Sequence, residues 1–334
     1  MAESSVTLSA ADARELATAA CRAAGASPAV ADSLVEASLS ATRFGRSELG
    51  FPHLLTYLAS FREGRIDGSA EPRIERPLPA TIVADAQGGI AQLGFDRAYD
   101  ELVKAARASG IALFTQRNSY TSGELGYYVR RLARDGLAAL AATSGPALMA
   151  ASAGGPRVYC TNPIAFAAPA APAEDPLVID QASSATAFIN VVRAASCKRE
   201  IPEGWATDAQ GNVTTDAQKA LEGALLPFGG YKGANMALMV EILAAGISGA
   251  AWALDAKDYK SGRECPDTGL TVIALAPPAA RPGLAERIGA HLRRLRDCGV
   301  YIPGWRAGRP AAPEAGLVRV EREILDEMRR LAGA

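Results

Sequence analysis

Apolar residues recur at helical spacing through the N-terminal part of the chain. Val30, Leu34 and Leu39 share one helical face, and Leu54, Leu55, Leu58 and Phe61 share another. The boundaries carry matching signals. Ser9, with Asp12 three residues on, predicts the cap of a first helix that runs to about Gly25. Ser27-Pro28 reads as the cap and first position of a second helix, and a third follows Pro52.

From about residue 80 the texture changes. Short apolar runs at Thr81–Ala84, Ile111–Thr115, Leu137–Thr143, Val158–Ala168, Leu177–Asp180 and Leu270–Leu275 read as strands. Between them lie helical patterns, one marked by Phe95, Tyr99, Leu102, Val103 and Ala106 and one near Glu124–Arg134. This alternation predicts an α/β fold. Two amphipathic helices, about Leu284–Cys298 and Val320–Leu331, close the chain. No G-x-G-x-x-G opens a helix after a strand and no G-x-x-x-x-G-K-[ST] occurs, so any dinucleotide binds without the usual glycine fingerprint. The apolar stretch Ala234–Leu254 contains Asn235 and Glu241 and is rich in Ala and Gly, which predicts a buried or interface helix and no membrane span.

Composition narrows the picture. A chain of 334 residues, 49% hydrophobic and 21% charged, can bury a large core. A net charge of −1 with scattered Lys and Arg gives no basic face for nucleic acid. The five cysteines form no C-x-x-C pair, which argues against a disulfide framework and against a metal site and fits a reducing compartment. The first residues lack a positive segment followed by an apolar run, so a cytoplasmic protein is expected.

Four constellations are candidates for chemistry. Gly229-Gly-Tyr-Lys-Gly233 precedes the apolar helix, and exposed backbone N–H groups beside a lysine fit a phosphate as well as a plain helix start. Cys160-Thr-Asn-Pro-Ile164 leads into a strand, and Asp180 ends the next one; Asp180 followed by Gln181-Ala-Ser-Ser184 fits a ligand loop or a helix cap. Arg117-Asn-Ser-Tyr-Thr-Ser-Gly123 lies between a strand and a helix, placed either to line a cleft or to cap the helix. The chain has two histidines, His53 and His291. Histidine is the common acid–base group near neutral pH, so an enzyme needing several could not run on this sequence unaltered.

These constellations stand in an order that resembles the malate/L-lactate dehydrogenase family. The resemblance is carried by Tyr57–Ile66, Arg117-Asn-Ser119 with Gly123 and Gly126-Tyr-Tyr128, Thr161–Phe166, Ile201–Ala206, Thr214-Thr-Asp216 and Leu225–Gly230. Lys232-Gly233 and Ala237–Leu243 complete the series, which covers roughly residues 10 to 310. It implies a non-Rossmann NAD(P)-binding α/β domain, residues 75–279, and a helical, dimer-forming domain from residues 1–74 with 280–334. It also implies a homodimer. By the same resemblance NAD or NADP would meet Ser144 and Gly145, then Asp180, Gln181 and Ala182, then Lys232 and Gly233, and finally His291 and Arg293.

The departures from the family lie elsewhere. Members read D-S-H-G where this chain reads Ser47-Glu-Leu-Gly50, so Leu49 replaces a histidine; Thr121 stands at the acid–base histidine, and Tyr231 at a third. His53 takes the place of a substrate arginine, and Ile189-Asn190 that of a Gly-Lys pair. Leucine and threonine cannot shuttle protons near pH 7. The expected activity is NAD(P)H-dependent reduction of a small keto acid or cyclic imino acid, since a protonated imine accepts hydride with little help from an acid. Glu48, His53, Tyr120 and Thr121 are then the candidate proton-handling residues, and Arg46, Leu49 and Tyr231 the candidate substrate contacts. The competing expectations are a non-redox enzyme that retains a nucleotide, and an inactive scaffold.

Overall fold

Side-chain caps start the N-terminal helices where the sequence places them. A short strand β1 (Ser5–Ser9) leads into α1 (Ala10–Ala23), and the Ser9 hydroxyl accepts the Asp12 N–H at 3.0 Å. Helix α2 (Pro28–Arg43) is capped by Ser27, and α3 spans Phe51–Arg62. The computed structural model describes residues 5–170, 175–277, 283–303 and 316–333; the expected domain boundary at residue 280 and the first four residues lie outside them.

The sheet follows. Strands β2 (Arg73–Leu78) and β3 (Thr81–Asp85) form a hairpin, α4 (Ala91–Ser109) crosses over, and β4 (Ile111–Ser119) lies parallel to β3. Helix α5 (Leu125–Arg134) precedes β5 (Ala138–Thr143). The run expected as one strand over Val158–Ala168 is two, β7 (Arg157–Tyr159), paired with β6 (Met149–Ala150), and β8 (Ile164–Ala168). Asn162, at φ +40° ahead of Pro163, turns the chain between them. Strand β9 (Leu177–Gln181) is followed by α6 (Phe188–Ser196), the small pair β10 (Ala206–Thr207) and β11 (Val213–Thr214), and α7 (Ala217–Glu222). The apolar stretch makes α8 (Tyr231–Glu241), which widens into a π-turn over Ile242–Gly246 and then ends. After β12 (Thr268–Leu275), α9 (Leu284–Asp297), β13 (Leu317–Glu321) and α10 (Arg322–Ala332) complete the chain.

The large sheet has the order β2-β3-β4-β12-β5-β8-β9. Among the described residues only β3 and β4 pair in parallel, so the fold is mixed α/β and not doubly wound. Strand β12 arrives late in the chain and inserts between β4 and β5. Its Leu270, Val272 and Ala274 face the core under α4 and α5, while Thr271 on the opposite face donates to the Leu243 carbonyl at 2.6 Å. The sheet is thus covered on both sides. A second core joins α1, α2, α3 and α10 with the ribbon β1–β13, an antiparallel pair that ties the two ends of the chain together. A third, smaller core lies under α6 and α7.

Candidate functional site

Loops that leave the sheet converge on Asn162. Its side-chain amide donates to Glu241 Oε2 and to the Ala237 carbonyl of α8, both at 2.8 Å. Its Oδ1 lies 3.1 Å from the Ser144 hydroxyl, and its carbonyl accepts from the Ser183 hydroxyl at 2.7 Å. Asparagine tolerates the left-handed backbone better than most residues, and these contacts hold it there. Glu241 is buried, and its carboxylate also accepts from Ser144 at 2.7 Å and from the Ala253 N–H at 2.7 Å. A buried carboxylate is stable only when its lone pairs are filled, as here. The network fixes the loop after β5, the loop after β9 and the body of α8 relative to one another.

Two backbone bonds extend this frame to the start of α8. Ala185 donates to the Leu226 carbonyl at 2.7 Å and Phe228 donates to the Ser183 carbonyl at 3.1 Å. Gly229 and Gly230 then take positive φ angles, with open space where a Cβ would stand. Helix α8 begins with no side-chain cap, so its first N–H groups face outward beside the exposed Lys232. Gly233 is a glycine for a packing reason, because a Cβ there would lie 2.3 Å from the Phe228 carbonyl oxygen. These bonds tie Ser144, beside Gly145, to the loop that follows Asp180, Gln181 and Ala182 and to α8, in whose first turn Lys232 and Gly233 lie. His291 and Arg293 are on α9, none of whose residues enters the three buried cores, and His291 is exposed. No described hydrogen bond carries His291 to these loops.

Asp180 ties the end of β9 to α5 and to Arg46. Its carboxylate accepts the Gly126 N–H at 2.8 Å, and its carbonyl accepts from the Arg46 guanidinium. Burial pushes the Asp180 carboxyl up, and the Gly126 N–H, Arg46 and Arg130 pull against that rise. Alongside runs a buried ion pair, Arg130 with Glu124 at 2.5 Å, whose guanidinium also donates to Ser40 and lies 3.9 Å over the Phe44 ring. This pair was not foreseen in the sequence.

A second cluster, around Tyr57 and Tyr120, is aromatic and rich in hydroxyls. Thr121 is half-buried, and its carbonyl accepts from the Tyr57 hydroxyl at 3.0 Å. Gln92 donates to Tyr57 Oη at 3.1 Å. His53 meets the Tyr57 ring edge-on at 5.0 Å, and burial lowers its pKa to about 4, so it is neutral at pH 7. Tyr120 gives way as a proton donor. It is fully buried, its hydroxyl accepts from Ser60 at 2.8 Å and donates to the Tyr259 carbonyl at 3.0 Å, and it acts as a clamp. Glu48 and Leu49 lie half-buried on a short turn, Ser47–Leu49, where no described hydrogen bond or ion pair engages the Glu48 side chain. Tyr231 is exposed at the first position of α8. Sequence reasoning missed Glu241 as a partner of Ser144, although a carboxylate inside an apolar run is itself a signal of a buried acceptor. It missed Tyr259 altogether.

Comparison with known proteins gives this arrangement its relatives. The family model described as malate/L-lactate dehydrogenase matches residues 8–329. A (2R)-3-sulfolactate dehydrogenase (NADP(+)) of Chromohalobacter salexigens is 35% identical over 323 residues, covering 96% of each chain. A Δ1-pyrroline-2-carboxylate/Δ1-piperideine-2-carboxylate reductase of Pseudomonas putida is 36% identical over 307 residues, 90% of this chain and 89% of that one. The crystal structure of the Δ1-piperideine-2-carboxylate reductase of Pseudomonas syringae superposes with a TM-score of 0.90 at 33% identity, over 98% of this chain and 99% of that one. With the match running nearly end to end, the chain belongs to the malate/L-lactate dehydrogenase family of oxidoreductases.

Proposed function

We propose that the protein reduces a small cyclic imino acid, or less readily a keto acid, with NADPH or NADH. The observation that carries this reading is the convergence of the Ser144-Gly145 loop, the Asp180 loop and the uncapped start of α8 on one polar frame. The residues fit a dinucleotide: free helix N–H groups, an exposed Lys232 and the open space before Gly229 and Gly230 suit a phosphate. Lys232 and the α8 N-terminus would hold the phosphates, and Ser144 with Gly145 would face the rest of the nucleotide. The bound nucleotide supplies a hydride.

The chemistry of the second cluster favours the imine. His53 is neutral, Tyr57 is held protonated by burial, and neither Leu49 nor Thr121 can carry a proton near neutral pH. A ketone turns into an alkoxide as hydride arrives and needs a proton at once, a service typically worth about 10²–10⁴-fold. A cyclic imine protonated in solution turns into a neutral amine and needs none. Relatives named as imino-acid reductases stand beside one named as a sulfolactate dehydrogenase, so the preference rests on these side chains.

We further infer a homodimer in which the N- and C-terminal helical segments form a domain apart from the nucleotide-binding one. Leu238, Met239, Ile242, Ile247, Trp252 and Leu254 make an exposed apolar face along α8 and its continuation, and a second copy is the partner that would bury it. Among the described residues no helix is long and apolar enough to cross a membrane; together with the unpaired cysteines this supports a cytoplasmic site of action. The decisive measurement is steady-state oxidation of NADPH and NADH with five- and six-membered cyclic imine 2-carboxylates against pyruvate and its analogues. Faster turnover of the keto acids would reverse the preference, and no turnover with either would end the reductase reading.

A further inference from the structure

Arginines hold the chain that follows α2 from two directions. On α5, Arg130 sets its guanidinium 3.9 Å from the centre of the Phe44 ring, and Arg134 stands 5.1 Å from the same ring. Phe44 is the residue that closes α2. Arg130 is itself fixed, donating to Ser40 at 2.8 Å and paired with the buried Glu124 at 2.5 Å. Two residues past Phe44, Arg46 donates to the Asp180 carbonyl. The Leu49 N–H donates in turn to the Arg46 carbonyl at 2.9 Å, so the turn Ser47–Leu49 travels with Arg46. No side chain caps that turn.

The acceptor is fixed as firmly as the donor. Asp180 stands one residue from the end of β9, the edge strand of the large sheet. Its carboxylate accepts the Gly126 N–H at 2.8 Å, at the start of α5. A Cβ on Gly126 would lie 2.7 Å from Glu124 Oε1, 3.0 Å from Arg130 Nη2 and 3.3 Å from Asp180 Oδ2, so three charged groups close over a residue without a side chain. Farther along the same loop, the Ser183 hydroxyl donates to the Asn162 carbonyl at 2.7 Å. The bond from Arg46 to Asp180 thus joins a short, uncapped turn to the frame built around Asn162.

Resting on the reductase reading, in which the Asp180 loop borders the nucleotide and Leu49 the substrate, we propose that Arg46 is a positioning residue that seats the Ser47–Leu49 turn on the nucleotide-binding frame. Its acceptor is a backbone carbonyl, which no titration removes, and a guanidinium meets it with a charge-assisted hydrogen bond. Phe44 anchors the chain before the turn, and Arg46 sets the turn itself. Without that bond the turn occupies its seated position only part of the time. Apparent substrate affinity falls in proportion, while the step that follows binding is left as it was. The loss falls on KM and spares kcat. The nucleotide, held by the frame, keeps its affinity.

The test is Arg46→Met, which keeps an apolar stem and removes every donor, with Arg46→Lys to restore a cationic one. Hydrogen exchange of the free protein reads the turn directly, through the Leu49 and Gly50 amides that close it. In Arg46→Met these amides are expected to exchange on the order of tenfold faster, with the melting temperature within a few degrees of the wild type. KM for a cyclic imine 2-carboxylate should rise about tenfold, with kcat and NADPH affinity each within about twofold. Arg46→Lys should recover most of both changes. Unchanged exchange at Leu49 and Gly50 overturns the positioning role even where KM rises, because a direct substrate contact leaves the free turn as it was. Faster exchange with an unmoved KM, beside an active wild type, also overturns it and leaves the reductase reading standing. A wild type that binds NADPH but reduces no imine or keto acid overturns the reductase reading, and the exchange rates then still decide whether Arg46 seats the turn.

Discussion

Two clusters solve the same problem, fixing polar groups inside a protein, in opposite ways. The cluster around Asn162 uses charge. Glu241 is buried and collects donors from Ser144, Asn162 and Ala253, and a second buried carboxylate, Glu124, is paired with Arg130. The cluster around Tyr57 and Tyr120 offers uncharged tips near pH 7: burial lowers the His53 pKa to about 4 and pushes the Tyr57 and Tyr259 phenols up. A charged frame is costly to disturb and holds loops in one arrangement. A neutral cluster can orient a substrate but has little proton to offer, and this difference points to a substrate that brings its own.

The comparison breaks most visibly at Glu241. Glu241→Ala would leave Ser144, Asn162 and the Ala253 N–H without their shared acceptor, inside the protein. Stranding several buried donors at once is expected to cost roughly 3–5 kcal/mol of stability and to loosen nucleotide binding with it. Urea denaturation of the variant with and without NADPH measures both; a loss under about 1 kcal/mol would show that the network is not what fixes these loops.

Next in size is the acid response of the neutral cluster. The His53 pKa is about 4 in the folded protein against an ordinary 6.5, so the unfolded chain binds the proton more readily. Stability is then fully present above pH 6.5 and falls as the pH drops toward 4, by up to about 3 kcal/mol at pH 4. His53→Gln removes this contribution. Melting curves between pH 7 and 4 should be flatter for the variant, and identical slopes would mean that His53 can be protonated in place.

How far the sequence announces these features depends on their range. Helix caps are local, and Ser9 and Ser27 act where the pattern predicts. The buried strands of the large sheet are local too, marked by short apolar runs, but the edge strand β2, exposed along its whole length, carries no such run and was not read. The split of Val158–Ala168 was not legible, since it turns on Asn162 adopting a left-handed backbone before a proline, against the usual preference for extended geometry there. The insertion of β12 between β4 and β5 and the pairing of β1 with β13 were hidden as well, both being long-range choices of neighbour. In the site, the resemblance marked Ser144, Asp180 and Lys232 because they lie in contiguous motifs. Tyr120 was misread as a donor, because only the fold reveals that Ser60 and the Tyr259 carbonyl already occupy its hydroxyl. Tyr259 lies in a segment without pattern, more than a hundred residues from the Tyr120 it packs against.

A smaller effect probes the open end of the charged side. Lys232 is exposed, so its ammonium is screened and acts on the ligand more than on the fold. Lys232→Ala should leave the melting temperature of the free protein unchanged and weaken NADPH by about 1–3 kcal/mol, the range of one charged hydrogen bond. Titration at low and moderate salt separates this from a packing effect, because a lost phosphate contact weakens the salt dependence. Equal affinities for variant and wild type would move the phosphate away from the start of α8.

The smallest effect expected is also the most direct attempt to turn the neutral cluster into a charged one. By the family resemblance Leu49 and Thr121 are read as replacing histidines, and both are half-buried here. Leu49→His with Thr121→His returns two groups that titrate near neutrality. The gain should be modest. The ring at position 121 enters beside Tyr57, whose hydroxyl donates to the Thr121 carbonyl, and the burial that drives His53 down to about 4 will press on it too. Ketone reduction by the double variant is expected to rise about tenfold, well below the 10²–10⁴-fold of an established acid–base group, and to acquire a pH dependence the parent lacks. The single variants should gain less than half of this each on a logarithmic scale, because a donor and its orienting partner act as a unit. A double variant that binds NADPH, melts normally and still reduces no ketone would mean that the neutral cluster is set by His53 and its surroundings, not by the two replaced positions.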